Sequence, residues 1–221
     1  RIQMSKLNVD QKAIIDLLSD KKADFLIPDY QRPYAWSEEQ CQTLWDDIFL
    51  FSFPDNNYEA FDDNEEYFLG SIVTYKNENG KSEVIDGQQR LTTLMLMLRA
   101  FYDKFESMKD KNSILTRDRI EKCIWKTDTF GTADKNTLKI DSEVATDNDK
   151  DEFLELLRTG VVKKGSKSQY VLNYQFFQKK IDEFLQEFPS FFPYLPARIL
   201  SNCILLAIEA ESQDTALRIF S

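Results

Sequence analysis

Val84-Ile85-Asp86-Gly87-Gln88-Gln89-Arg90-Leu91-Thr92-Thr93 is the stretch on which the fold turns. Val84 and Ile85 end a β-type run that begins at Glu83, and Gly87 permits a sharp bend. From Leu91 the apolar residues recur at helical spacing through Leu94, Met95, Leu98, Tyr102 and Phe105. The segment therefore reads as strand, tight turn, long helix. Such a helix start presents unpaired backbone N–H groups and the positive end of the macrodipole, which suits phosphate. Arg90 adds a forked cationic donor, and Gln88 and Gln89 add neutral donors. Asp86 supplies a carboxylate able to hold Mg²⁺ or orient a water through it, while Thr92 and Thr93 offer hydroxyls. The same residues also suit a turn whose polar side chains only cap the helix, and both readings stay open at this level.

Working upstream, Tyr67–Tyr75 has strand character, and Asn79-Gly80 marks a hairpin turn into Glu83-Val84-Ile85. Gly80-Lys81-Ser82 imitates the end of a Walker A loop. That loop needs a glycine where this chain has Tyr75, and it opens a helix rather than a strand, so the tripeptide belongs to the hairpin. Residues 52–66, with Pro54 and a crowd of acids, read as a mobile solvated loop. Ser37 and Gln40 form a capping-box pair for a helix reaching about residue 50, with Cys41, Leu44, Trp45, Ile48 and Phe49 on its apolar face. Phe25-Leu26-Ile27 is a probable strand ended by Pro28, and residues 10–20 read as a short amphipathic helix.

Between that strand and the capped helix lies Ile27-Pro28-Asp29-Tyr30-Gln31-Arg32-Pro33-Tyr34-Ala35-Trp36, a non-helical stretch rich in aromatics. Gln31, Arg32 and Tyr34 are candidates to contact a nucleotide, since aromatics beside an arginine can stack on a base and neutralise phosphate. Trp36 reads better as a staple pinning the loop to the helix behind it.

Downstream the chain is more helical. Residues 114–125, 149–158 and 169–188 show helical periodicity, Leu138-Lys139-Ile140 and Ile204–Ile208 have strand character, and a last helix starts at Gln213. The Met95/Met97 and aromatic stripes read as core rather than as a cofactor box.

Composition removes whole classes of chemistry. With no histidine, the sequence contains no Ser-His-Asp or Cys-His catalytic set, no histidine zinc site and no HNH-type nuclease centre. A net charge of −10 argues against a direct grip on nucleic acid by this chain. Cys41, Cys123 and Cys203 are too far apart for a metal-type pairing and suit a reducing cytoplasm, and no apolar run approaches a membrane span.

Taken together, Ile27–Trp36, then Tyr67-Phe68-Leu69-Gly70-Ser71, then Ile85–Thr93 resemble the successive signatures of the GmrSD-type restriction endonuclease N-terminal domain. Asn173–Phe177 and Asp214–Phe220 are similar to its later landmarks. The resemblance implies an α/β (α+β) fold of ParB/sulfiredoxin-like type: a small mixed sheet with flanking helices in a nucleotide-binding core over residues 1–110. A mostly helical continuation over 111–221 follows, cut short inside its last helix. It also implies a place in phage defence, with nucleoside triphosphate and Mg²⁺ as cofactors supporting cleavage of modified DNA. On that resemblance Asp86, Gln88 and Arg90 carry hydrolysis, Asp86 with the metal. Gly87, Gln88, Gln89 and Arg90 also bind the nucleotide, with Arg32 as an earlier cation, and the residue types of Gln31, Tyr34, Thr92 and Thr93 add them as further contacts. The partners implied are an HNH-type nuclease domain or subunit, and DNA through the complete protein. Two other functions fit the same residues: a non-catalytic sensor of modified DNA, and a module that docks a partner subunit.

Overall fold

The ten-residue run Tyr67–Lys76 and the apolar run around Ile204–Ile208 build the centre of a sheet. The computed structural model describes residues 7–220. Strand β1 (Leu7–Ala13) leads into the short helix α1 (Ile14–Leu18), β2 (Phe25–Ile27) and helix α2 (Glu38–Ser52). Two 3-10 turns precede the hairpin of β3 (Tyr67–Lys76) and β4 (Ser82–Asp86), which feeds helix α3 (Gln88–Phe105). Helix α4 (Lys111–Ile124) and strands β5 (Trp125–Thr127), β6 (Ala133–Leu138) and β7 (Ile140–Ser142) follow. Helices α5 (Lys150–Thr159), α6 (Gln169–Glu187) and α7 (Tyr194–Asn202), strand β8 (Cys203–Ala210) and helix α8 (Gln213–Phe220) complete the order.

The main sheet has the order β1-β8-β3-β4-β2-β7, and β5 pairs with β6 in a separate ribbon. β8 runs parallel to β3 and antiparallel to β1; β4 is antiparallel to β3 and parallel to β2, so the sheet is mixed. Two of its strands, β7 and β8, come from the helical second half. That half completes the sheet as well as extending it.

Side chains alternate across the sheet, which separates two apolar faces. Ile72, Val84 and Leu205 face the large core, where every residue of α3 from Leu91 to Tyr102 is buried. A helix buried on all sides is the central helix of a domain, not a surface one. On the opposite face Val73, Ile85 and Ala210 pack against Ala216 of α8, with Leu217 and Phe220 at the margin. Among the described residues no helix is long and apolar enough to cross a membrane.

Three expectations change. Residues 10–20 are not one helix: Leu7–Ala13 pairs antiparallel with Ala210–Ile204, and helix begins only at Ile14. Pairing with the apolar β8 overrides the weak helical preference of this polar stretch. Leu138-Lys139-Ile140 is not one strand either. Leu138 pairs with Trp125 in the ribbon and Ile140 with Phe25 in the main sheet, while Lys139 turns inward and its Nζ donates to the Asp20 carbonyl at 2.6 Å. The acidic 52–66 segment, expected to be mobile, is tied down from α7. Arg198 donates to the carbonyls of Ser52 and Tyr58, and Asn202 to those of Asp63 and Glu65.

Candidate functional site

The three sequence segments that set this chain apart meet at the first turn of α3. Gly87 is its N-cap at φ 91°, and a Cβ there would sit 2.6 Å from the Ser71 carbonyl oxygen. Only glycine lets β3 and the start of α3 come so close. The amide of Gln88 donates to Gln31 Oε1 at 2.9 Å, and Gln31 in turn donates to the carbonyls of Val84 and Ile85 at 3.2 and 3.0 Å. Gln89 grips the loop with both ends of its amide: it donates to the Pro33 carbonyl at 3.2 Å and accepts from the Ala35 N–H at 2.8 Å. The side chains of Gln31, Gln88 and Gln89 are thus braces that join the aromatic loop to the helix start.

Behind these braces runs a directed chain of hydrogen bonds. Asn173 of α6 donates to the Tyr34 hydroxyl at 2.8 Å and to the Trp36 carbonyl at 2.9 Å. Tyr34 and Thr93 hydroxyls lie 2.7 Å apart, and Thr93 donates to the Gln89 carbonyl at 2.8 Å, which makes Tyr34 the donor to Thr93. The Tyr34 ring stacks on Tyr170 at 4.8 Å, and Tyr170 donates to the buried Asp147 carboxylate. Burial pushes the Tyr34 phenol well above its usual range, so it stays a hydroxyl. The expectation that Tyr34, Thr92 and Thr93 touch a nucleotide does not fit their placement. All three are buried, and the hydroxyls of Tyr34 and Thr93 are taken up internally.

Arg90 is placed differently. Its Nη1 donates to the Ser71 carbonyl at 3.1 Å, and its guanidinium lies flat against Gly70, where a Cβ would come within 2.4 Å of Cζ. Seated there, Arg90 lines a groove of about 340 Å³ between α2 and β3, together with Trp36, Glu39, Asp47, Tyr67 and Leu69. Asp86 ends β4 and is exposed, as is Arg32 in the aromatic loop, and neither lines that groove. Neither forms an ion pair among the described residues. No cluster of three or more metal-ligating side chains exists among the described residues. Magnesium needs none when phosphates accompany it, since one or two carboxylates then suffice, and Asp86 fits that donor set.

Residues 14–221 match the family described as GmrSD restriction endonuclease, N-terminal domain. The chain belongs to that family. It is thus a restriction-endonuclease domain, and the mixed sheet with flanking helices is the form this GmrSD N-terminal domain takes. No curated protein matches it. Sequence reasoning placed the motif of this GmrSD domain but missed Asn173, Glu39 and Asp47 as parts of the site. A signal for Asn173 existed: it is an amide set among Tyr170, Tyr174 and Phe177 on the aromatic face of α6, where an unpaired polar group would be costly.

Proposed function

We propose that this chain is the nucleotide-responsive regulatory domain of a modification-dependent restriction system serving phage defence, binding and hydrolysing a nucleoside triphosphate with Mg²⁺. One observation carries the reading. Three separate segments converge on a single helix start, and of the two cations they carry, Arg32 and Arg90, it is Arg90 that opens onto the groove.

In this reading the phosphates lie against Arg90 and the free N–H groups of the first turn of α3, where charge-assisted bonds and the helix dipole act together. Gln88 and Gln89 contribute backbone N–H groups, their side chains holding the loop that carries Trp36 and Arg32. Arg32, exposed beside this helix start, is a second cation for the phosphates. Asp86 would hold Mg²⁺, which when bound supplies charge neutralisation and a more acidic water. With no histidine in the chain, Asp86 would be the carboxylate that positions the ion and its water, and Arg90 would face the charge developing on the phosphoryl group. An HNH-type nuclease domain or subunit would do the cutting, and DNA would be engaged through the complete protein.

A thermal-shift panel of ATP, GTP, CTP and UTP, with and without Mg²⁺, tests this. Saturation near 100 times the dissociation constant stabilises by about 2.7 kcal/mol, a rise of roughly 5–11 °C for a chain of this length. The expected result is such a rise with at least one nucleotide, followed by phosphate release. No rise with any nucleotide, with DNA binding that falls steeply with salt, would turn the reading toward a sensor of modified DNA.

A further inference from the structure

We infer that the Asp47–Tyr67 pair is the sugar end of the groove at Arg90, and that it selects ribonucleoside over deoxyribonucleoside triphosphates. The inference rests on the groove being the nucleotide site.

The two walls fix a direction. Glu39, Thr43 and Asp47 are four residues apart on α2 and so share one face. Tyr67 and Leu69 both line the groove from β3, and Arg90 is seated just beyond them on Gly70 and Ser71. The Tyr67 hydroxyl donates to Asp47 Oδ2 at 3.3 Å, which joins the walls at the far end. A bulge at Leu69 sets Tyr67 opposite Cys203 and Gly70 opposite Leu205, so the strand advances roughly 7 Å between them, within the reach of an extended triphosphate. The groove therefore has the Arg90 guanidinium at one end and a carboxylate–phenol pair at the other.

That polarity admits one orientation. The Asp47 carboxylate repels phosphate, so the phosphates go to Arg90 and the sugar and base to Asp47. Glu39 also lines the groove, but it stands about two turns of α2 away from the Asp47–Tyr67 pair. An ionised carboxylate only accepts hydrogen bonds, and it has room for more than the one from Tyr67. Ribose offers two neighbouring hydroxyl donors there and deoxyribose one. Acidic side chains take ribose hydroxyls in this way in dinucleotide-binding folds. Burial, and then the neighbouring Asp47, raise the Tyr67 phenol above its usual range, so it remains a donor that orients the carboxylate. The exposed position of Asp47 puts the expected selectivity at the low end for a charge-assisted bond, about tenfold.

The test is isothermal titration of the whole chain with the four ribonucleoside and four deoxyribonucleoside triphosphates in Mg²⁺, for the wild type, Asp47→Ala and Tyr67→Phe. The tightest ribonucleotide should bind about tenfold better than its deoxy counterpart. Asp47→Ala should bring the two together by weakening the ribonucleotide alone, and Tyr67→Phe should narrow the gap. Equal wild-type affinities, or a gap that survives Asp47→Ala, overturn the sugar-end assignment while leaving the nucleotide site standing. Binding of none of the eight overturns the nucleotide site and this inference with it.

Discussion

Replacing Asn173 with alanine removes a single buried amide that ties α6 to the aromatic loop, 139 residues away at Tyr34 and 137 at Trp36. Its Nδ2 donates to both, its Oδ1 accepts from Gln169 at 3.0 Å, and the side chain is fully buried. Each such hydrogen bond is worth about 1 kcal/mol net, and a carbonyl left without its donor in the interior costs about 1–3 kcal/mol. The Gln169 bond counts little, because that side chain can turn to water. The loss expected for Asn173→Ala is therefore roughly 2–4 kcal/mol, or a fall in melting temperature of roughly 4–16 °C. Urea unfolding of the wild type, Asn173→Ala, Tyr34→Phe and the double variant measures it. Because Asn173 and Tyr34 share a bond, the cycle should show a coupling of about 0.5–3 kcal/mol. A loss below about 0.5 kcal/mol, the range of an ordinary surface change, would refute the claim that this amide clamps the loop. So would additivity of the two single changes.

Other outcomes follow from the same geometry. Gly70→Ala places a side chain at φ 141° and against the Arg90 guanidinium, so it should cost about 1–3 kcal/mol and weaken nucleotide binding; a variant that melts and binds like the wild type would contradict the seat described for Arg90. Burial pushes the thiols of Cys41, Cys123 and Cys203 from 9.0 up to about 12, so the folded protein should resist iodoacetamide until it is unfolded, and labelling at the native rate of a free thiol would count against their burial. The same shifts set an alkaline limit. The unfolded chain gives up these protons near pH 9.0 while the native state keeps them to about 12, so their stabilisation is complete below 9.0 and shrinks across that interval. Urea midpoints should be lower at about pH 10.5 than at about pH 8, and equal midpoints would contradict this.

What was legible in the sequence was whatever depended on neighbours in the chain. The Asn79-Gly80 hairpin and the Ser37/Gln40 capping box form as read, with Ser37 N–H donating to Gln40 Oε1 at 2.9 Å and Gln40 N–H to Ser37 Oγ at 3.3 Å. The long helix after Gly87 begins where its apolar spacing says. β1 was not legible, because Leu-Asn-Val-Asp-Gln-Lys-Ala is a polar edge strand that takes its identity from β8, nearly two hundred residues on. Lys139 between two apolar neighbours likewise gave no sign that it separates two sheets.

The site divides along the same line. That Asp86–Arg90 forms a strand-to-helix turn, and that Ile27–Trp36 is a non-helical stretch before a capped helix, could be read from residue types. The roles could not. Gln31, Gln88 and Gln89 looked like ligand donors, and their side chains hold each other and the loop backbone across more than fifty residues of sequence. Amides are suited to both tasks, and only the fold decides between them. Arg90 differs because its partner is one carbonyl and a glycine, which leaves a guanidinium along the groove wall.

The affinity of Arg90→Ala for nucleoside triphosphate, measured by isothermal titration with Mg²⁺ beside the wild type, tests the central claim most directly. The substitution gives up one hydrogen bond, to Ser71, so the fold should survive with a loss of about 1 kcal/mol, checked by a urea melt. Loss of at least tenfold in affinity, the equivalent of about 1.4 kcal/mol, is the predicted result. Wild-type affinity in a folded Arg90→Ala protein would contradict it.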